Sequence, residues 1–112
     1  MQYFEMRTYI AHDGMLEALH QRFRQHTNRI FSRHGITPVG YWTPADGPAA
    51  ENKLVYLLAF PDQAACEASW NSFRVDEEWL EIREQSHVDA GGVIVKEVIS
   101  EYLNPTDYSS LQ

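Results

Sequence analysis

The chain has 112 residues and carries nine Lys and Arg against sixteen Asp and Glu, a formal net charge of −7 at neutral pH. This length is typical of a single domain. An acidic chain without a basic run disfavours nucleic acids and anionic membranes as partners, because phosphate groups require clustered positive charge. The longest apolar run, residues 54–60, is far too short to span a bilayer.

The cysteine count and the first residues limit the possible disulfides, metal sites and cellular compartment. The single cysteine, Cys66, excludes an internal disulfide and a cysteine-rich zinc site. Met1 is followed by an alternating segment and not by a basic stretch with an apolar core, so we expect a cytoplasmic protein. Aromatic residues make up 12% of the chain, which predicts that some rings lie in a pocket or an interface.

The first part of the chain predicts a strand, a helix and a strand. Residues 3–10 alternate with the period of a β-strand, and residues 15–34 have the apolar spacing of a helix that ends at Gly35. Residues 36–43 form a second strand, in which Pro38 indicates a strand start or a sheet edge. The apolar stripe of the helix contains Leu16, Leu19, Phe23 and Ile30, and the charged residues fall outside it: Glu17, Arg22, Arg24 and Arg29.

The second part predicts a strand, a helical region and a final strand. After a loop at 44–52, residues 53–60 are apolar on both faces, as in a central strand. Asp62 is the predicted N-cap of a helix with Cys66, Ser69, Trp70 and Phe73 on its inward side. The helical pattern restarts near Asp76, and residues 93–103 form the fourth strand.

This order of elements predicts the fold. Strand, helix, strand, strand, helix, strand is the pattern of the α+β ferredoxin-like βαββαβ sandwich. We therefore expect one domain over residues 1–112, with an antiparallel four-stranded sheet and both helical regions on one face.

The sheet face that the helices do not cover leads us to predict a binding partner. The third strand has at least three apolar residues on either side, so its uncovered side is apolar in any orientation. A contiguous apolar patch marks an interaction surface, and a two-fold homodimer of facing sheets, close to an eight-stranded barrel, would cover it. For the first strand we assign Phe4, Met6, Thr8 and Ile10 to the helices, and to the uncovered face Tyr3, Glu5, Arg7 and Tyr9.

Glu5 and Arg7 are the sharpest candidates for function, because at i and i+2 they project to the same side of the strand. In an enclosed pocket, Arg7 and nearby rings could bind a small aromatic or anionic molecule, and a desolvated Glu5 could act as a general base. The alternative, which we favour, is a Glu5–Arg7 ion pair that neutralises two buried charges. The candidate pocket residues are Glu5, Arg7, Tyr9, Trp42 and Tyr56.

The five histidines do not form a metal-binding pattern. His20, His26 and His34 lack the i, i+3 or i, i+4 spacing of helical ligand pairs, and His34 suits the negative end of a helix dipole. Cys66 is predicted to be a small buried hydrophobic residue. Because the chain also lacks a glycine-rich phosphate loop, we expect neither a metal nor another cofactor.

Five short segments stand in order along nearly the whole chain: Phe4-Glu5-Met6-Arg7-Thr8-Tyr9, His34-Gly35-Ile36, Val39-Gly40-Tyr41-Trp42, Asp76-Glu77-Glu78-Trp79 and Leu103-Asn104-Pro105-Thr106-Asp107-Tyr108-Ser109. Together they resemble the NIPSNAP family. The resemblance implies the dimeric α/β-barrel fold, which is also found in cofactor-free monooxygenases, lactone isomerases and haem-degrading enzymes. It implies no particular reaction.

Three functions fit these observations. The first is a homodimer that binds a small aromatic or anionic molecule in an enclosed pocket. The second is a cofactor-independent monooxygenase or isomerase, in which Arg7 holds the substrate and Glu5, Tyr9 or a histidine moves a proton. The third is a protein-interaction module without catalysis that uses residues 44–52 or 104–112.

Overall fold

A computed structural model describes residues 1–112 as an antiparallel sheet with helices packed on one face. Numbered along the chain, the strands pair in the order second, third, first and fourth, which confirms the predicted ferredoxin-like α+β fold. None of the helices combines the length and the apolar character needed to cross a bilayer. The elements are β1 Tyr3–Ala11, α1 Leu16–Arg22, α2 Asn28–Arg33, β2 Thr37–Trp42, β3 Lys53–Phe60, α3 Gln63–Arg74, α4 Glu77–Ala90 and β4 Val95–Leu103.

A π-helical turn, Phe23–Thr27, joins α1 to α2 and makes the predicted long helix continuous. The hydroxyl of Thr27 donates a hydrogen bond of 3.2 Å to the carbonyl of Arg22, five residues earlier. Arg22 and Thr27 are both buried, so the prediction that Arg22 lies away from the buried side is wrong. Arg22 follows Leu19 by three residues and therefore lies at the edge of the apolar stripe, which packing against α4 covers.

Both later helices begin where the sequence predicted, and Asp62 is the N-cap that it indicated. The carboxylate of Asp62 accepts a hydrogen bond of 2.8 Å from the backbone N–H of Ala65, and Asp76 accepts one of 3.0 Å from Trp79. Each aspartate thereby satisfies a backbone donor that the first turn of a helix leaves free. Pro38 lies in β2, which is an edge strand, where a missing backbone donor costs no sheet hydrogen bond.

The hydrophobic core lies between the sheet and the helices. Along β3, buried and half-buried residues alternate without interruption, because one side of the strand faces the helices. Leu54, Tyr56, Leu58 and Phe60 are buried there. Val55, Leu57 and Ala59 lie on the other side, as the sequence predicted for a strand that is apolar on both faces.

The orientation predicted for β1 is wrong. Glu5 is fully buried on the helix-facing side and accepts a hydrogen bond of 2.6 Å from the indole N–H of Trp70 in α3. The ring of Tyr9 lies 6.0 Å from that of Phe23. Both residue sets of this strand combine apolar and polar groups, so alternation alone did not distinguish the two sides. The helix-facing set is Tyr3, Glu5, Arg7 and Tyr9, and the set on the uncovered face is Phe4, Met6, Thr8 and Ile10.

The uncovered face has an apolar middle and charged residues at its margins, since register places Lys53 and Glu97 beside Ile10 and Glu101 beside Met6. Strand register places Met6 beside Leu57, and it places Thr8 between Val55 of β3 and Ile99 of β4. Trp42 continues this row on β2 and is 54% exposed. Its ring lies over Gly40, where a Cβ atom would stand only 2.8 Å from the indole. The middle of the sheet therefore presents mainly apolar side chains on the side that no helix covers.

Candidate functional site

Glu5 and Arg7 form the ion pair that we favoured from the sequence. Nη1 of Arg7 donates to Oε2 of Glu5 at 3.0 Å, and Nη2 donates to the hydroxyl of Tyr9 at 3.3 Å. The other carboxylate oxygen accepts from Trp70, over whose ring the Arg7 guanidinium lies at 4.2 Å. Cys66 adds a weak bond of 3.7 Å to the same oxygen. Each buried charge is thus compensated, as a structural pair requires.

The structure brings four of the five candidate pocket residues to one side of the sheet. Tyr56 is fully buried beside Glu5, Arg7 and Tyr9, and its ring lies 5.3 Å from that of Tyr9. Burial raises the pKa of the Tyr56 hydroxyl well above its usual value, and the neighbouring Tyr9 adds to this shift. Trp42 does not join the group, because it lies on the opposite face of the sheet.

A cleft of about 300 Å³ opens between the helix-facing side of β1 and β4 and the helices α1, α3 and α4. We call it the arginine cleft, because four of the nine basic residues of the protein line it. No Asp or Glu is among its lining residues, although the chain has sixteen of them. Its walls are aromatic and aliphatic. The polar and aromatic lining consists of Arg7, Tyr9, Arg22, Trp70, Phe73, Arg74, Trp79, Arg83 and His87.

Arg22 is the unusual residue of the arginine cleft. It is only 7% exposed and forms no ion pair. Its guanidinium donates to the hydroxyl of Ser86 at 3.2 Å and lies 5.1 Å from the ring centre of Trp79, while its Nε has no partner. Burial lowers the pKa of Arg22, and the charge of Arg83 lowers it further. A buried cation without a counter-ion is costly, and such residues concentrate in functional sites.

The other charges around the cleft increase the positive potential there. Arg74 and Arg83 are exposed and make no ion pair, so they contribute uncompensated charge at its edge. Burial lowers the pKa of His87, and the charges of Arg22 and Arg83 act in the same direction. His87 is therefore a neutral imidazole at neutral pH. The cleft joins unpaired guanidinium groups, a neutral proton acceptor and aromatic walls.

A larger groove of about 470 Å³ lies between α1 and α4 and also contacts Arg22. Its walls are mostly polar, with three glutamines and the carboxylates of Glu81 and Asp89. These carboxylates make it less suited to an anion than the arginine cleft, and it has no aromatic wall on which a ring could stack.

Several lining residues of the arginine cleft escaped the sequence analysis. Trp79, Arg83 and His87 follow one another at i, i+4 spacing on α4, so they share one side of that helix. This spacing was a readable signal. No such signal identifies Arg22, because its burial depends on the packing of α1 against α4.

His34 and the cysteine occupy structural positions. His34 ends α2, and its ring hydrogen-bonds to Ser72 of α3 and to the Asp76 carboxylate, the latter at 2.6 Å. Cys66 is buried in the core, as predicted, and burial together with the nearby Glu5 raises the pKa of its thiol to about 11. No three His, Cys, Asp or Glu side chains converge in the arrangement that a metal ion needs.

Comparisons with known proteins agree with the fold. The NIPSNAP family model matches residues 4–110. A NIPSNAP family protein from Agrobacterium tumefaciens superimposes with a TM-score of 0.82 at 19% identity, over 100% of both chains. An uncharacterised NIPSNAP-like domain protein from Burkholderia xenovorans gives 0.81 at 18% identity, over 96% of this chain and 88% of that one.

More distant structures have the same fold. SnoaB, a cofactor-independent oxygenase from Streptomyces nogalater, superimposes with a TM-score of 0.59 at 12% identity, over 99% of this chain and 98% of that one. This similarity concerns the fold alone. No curated protein matches the sequence.

Proposed function

Because this chain belongs to the NIPSNAP family, whose members of known structure share its fold, we propose a binding function from its own residues: it binds a small organic anion in the arginine cleft. The buried and unpaired guanidinium of Arg22 is the observation that carries this proposal. A carboxylate or a phenolate would supply the missing counter-ion through paired hydrogen bonds.

The walls of the cleft specify the rest of the ligand. Trp70, Phe73 and Trp79 offer ring surfaces, and valines of β4 and the segment before it complete an apolar lining. Ligand sites of this kind are mostly apolar, with a few polar groups that fix the orientation. A volume of about 300 Å³ is at the lower end of the usual range, so it suits a molecule with one ring.

Benzoate is the simplest probe, since it joins one carboxylate to one ring. We expect benzoate to raise the melting temperature of the protein and to change the fluorescence of Trp70 and Trp79, which line the cleft. Benzylamine, of similar shape and opposite charge, should do neither. The benzoate effect should weaken with added salt, because ions screen the exposed charges of Arg74 and Arg83.

Two arginines of the same helical region provide matched variants. Arg22→Met should weaken benzoate binding at least about tenfold, which corresponds to losing one charge-assisted hydrogen-bond pair. Arg24→Met should leave the affinity unchanged, because Arg24 points to solvent and pairs with Glu17 at 3.2 Å. Equal affinities in the two variants, or no binding of benzoate to the parent protein, would refute the proposed site.

We also propose that two copies of the chain associate through the uncovered face of the sheet, as a homodimer. Val55, Leu57 and Ile99 belong to the apolar middle of the uncovered face, which Lys53, Glu97 and Glu101 border, and a second copy offers a matching apolar surface under two-fold symmetry. The Leu57→Glu variant should shift the molecular mass in light scattering from two chains to one. A parent protein that is monomeric at micromolar concentration would overturn the proposal.

The cytoplasm remains the expected compartment, since a buried free cysteine is compatible with a reducing environment.

A further inference from the structure

We propose that the arginine cleft takes up weak acids of the phenol or enol type as their anions, and that His87 receives the proton that the bound molecule releases. This inference rests on the proposed anion site. It adds a class of ligand and a role for a residue that the ion pairs and the core do not use.

Geometry brings the required groups into one cavity. His87 and Arg83 are four residues apart on α4, so they lie on the same side of that helix. Arg22 reaches the cleft from α1 and rests against Trp79, one turn before Arg83. An oxygen anion held between the two guanidinium groups would therefore have the imidazole of His87 as a neighbour.

The charges around His87 determine whether it can hold a proton, because they set the pKa of its imidazole. Burial and the charges of Arg22 and Arg83 lower the pKa of His87, and Glu84 opposes them only in part. Arg7 and Tyr9 of β1 and Arg74 of α3 face the same cavity, and none of these brings an unpaired negative charge. A bound anion offsets the arginine charges, so it raises the pKa of His87 and favours the imidazolium ion.

Carboxylic acids and phenols should differ in this respect. A carboxylic acid has a pKa near 4 and enters already ionised, so it has no proton to give at neutral pH. A phenol resembles the tyrosine side chain, with a pKa near 10, and enters neutral. In the cleft its O–H bond breaks, the electron pair stays on the phenol oxygen, and a ring nitrogen of His87 binds the proton. The step involves no oxidation or reduction.

4-Nitrophenol tests this step directly, because its anion is yellow and the neutral phenol is colourless. At a pH about one unit below the pKa of free 4-nitrophenol, we expect the parent protein to turn the mixture yellow. The apparent pKa of the bound probe should fall by at least about one unit, a tenfold gain in the ratio of ionised to neutral probe. Arg22→Met and the exposed variant Arg83→Met should each reduce this shift.

The destination of the proton is measured by calorimetry in two buffers of different ionisation enthalpy. For the parent protein, binding should release almost no proton to the buffer, because His87 retains it. His87→Asn should release up to about one proton per bound molecule while still forming some yellow anion. His12→Asn is the matched control, since His12 is exposed and lies outside the cleft, and it should behave as the parent protein.

Each outcome decides between the two proposals. If benzoate binds but 4-nitrophenol remains colourless in the complex, the anion site stands and the ionisation of weak acids is refuted. If the His87→Asn and parent proteins release equal numbers of protons, His87 is not the acceptor. If neither probe binds, both proposals fail.

Discussion

Two clusters of basic residues in this protein differ in how their charge is balanced. The helix-end cluster, at the end of α2 and the start of α4, consists of Arg29, Arg33, His34, Asp76 and Glu78. Its arginine–carboxylate distances are 2.8 to 3.0 Å, and each arginine has an acidic partner. In the arginine cleft only Arg7 has one, and Arg22 is buried without any.

The difference separates stabilising charges from charges available to a ligand. In the helix-end cluster, Asp76 caps α4 and joins it to α2 and to His34, so its electrostatics are complete within the fold. Arg22 has no acidic partner, so no interaction within the chain offsets the free-energy cost of burying its charge. Within the arginine cleft, Arg7 has an acidic partner as in the helix-end cluster, whereas Arg22 has none.

The largest expected effect comes from breaking the balanced pair of the cleft. Glu5→Ala leaves the buried Arg7 without its counter-ion and the Trp70 indole N–H without an acceptor. We expect the free energy of unfolding to fall by about 3–5 kcal/mol in urea titrations. Glu5→Gln, which can still accept from Trp70, should lose less. A loss below about 1 kcal/mol for Glu5→Ala would show that this pair does not stabilise the fold.

Replacing the unbalanced arginine should have a smaller effect of the opposite sign. Arg22→Met keeps an unbranched side chain against Trp79 and removes the uncompensated charge. The free energy of unfolding should stay unchanged or rise by up to about 2 kcal/mol, since an apolar residue often replaces a buried charge without loss. Clear destabilisation in the same urea titrations would place Arg22 among the structural residues.

The smallest effect concerns the charge of Asp76 and depends on pH. Hydrogen bonds from Arg33, from His34 and from the Trp79 backbone hold the pKa of Asp76 well below its usual value near 4. The ionised carboxylate therefore stabilises the folded state at neutral pH, and this contribution disappears as the pH falls through the folded-state pKa.

Asp76→Asn should thus be less stable than the parent protein at pH 7, and the difference should shrink below about pH 4. Asp76→Ala should lose about 1 kcal/mol more, because it also removes the helix cap. Denaturation curves at several pH values measure both differences. A gap between Asp76→Asn and the parent protein that widens on acidification would contradict the assignment.

Local patterns predicted the elements with good accuracy. The strand predicted at residues 53–60 matches β3, Asp62 caps its helix as predicted, and the predicted restart near Asp76 matches the start of α4. These features depend on neighbours in sequence, such as a side chain three residues from the N–H that it accepts. The Glu5–Arg7 pair was predictable for the same reason, because residues two apart on a strand share a side.

The candidate site was only partly predictable. Arg7 and Tyr9 were identified, but their side of the sheet was assigned wrongly, because Glu5 and Arg7 neutralise each other and can be buried beneath helices. Trp42 was grouped with them, although strand register places it on the opposite face. Arg22 was missed, since the sequence cannot show which helix will cover a residue at the edge of an apolar stripe.

The sequence by itself determined the order of strands and helices, most of their bounds, the membership of the NIPSNAP family and the apolar character of both sides of β3. The tertiary structure alone decided which side of β1 meets the helices and which arginines share a cavity without acids. The physical reason is the separation along the chain of the residues that interact. Caps and alternation arise between close neighbours in the chain, whereas the arginine cleft arises where α1, α3 and α4 pack onto β1 and β4.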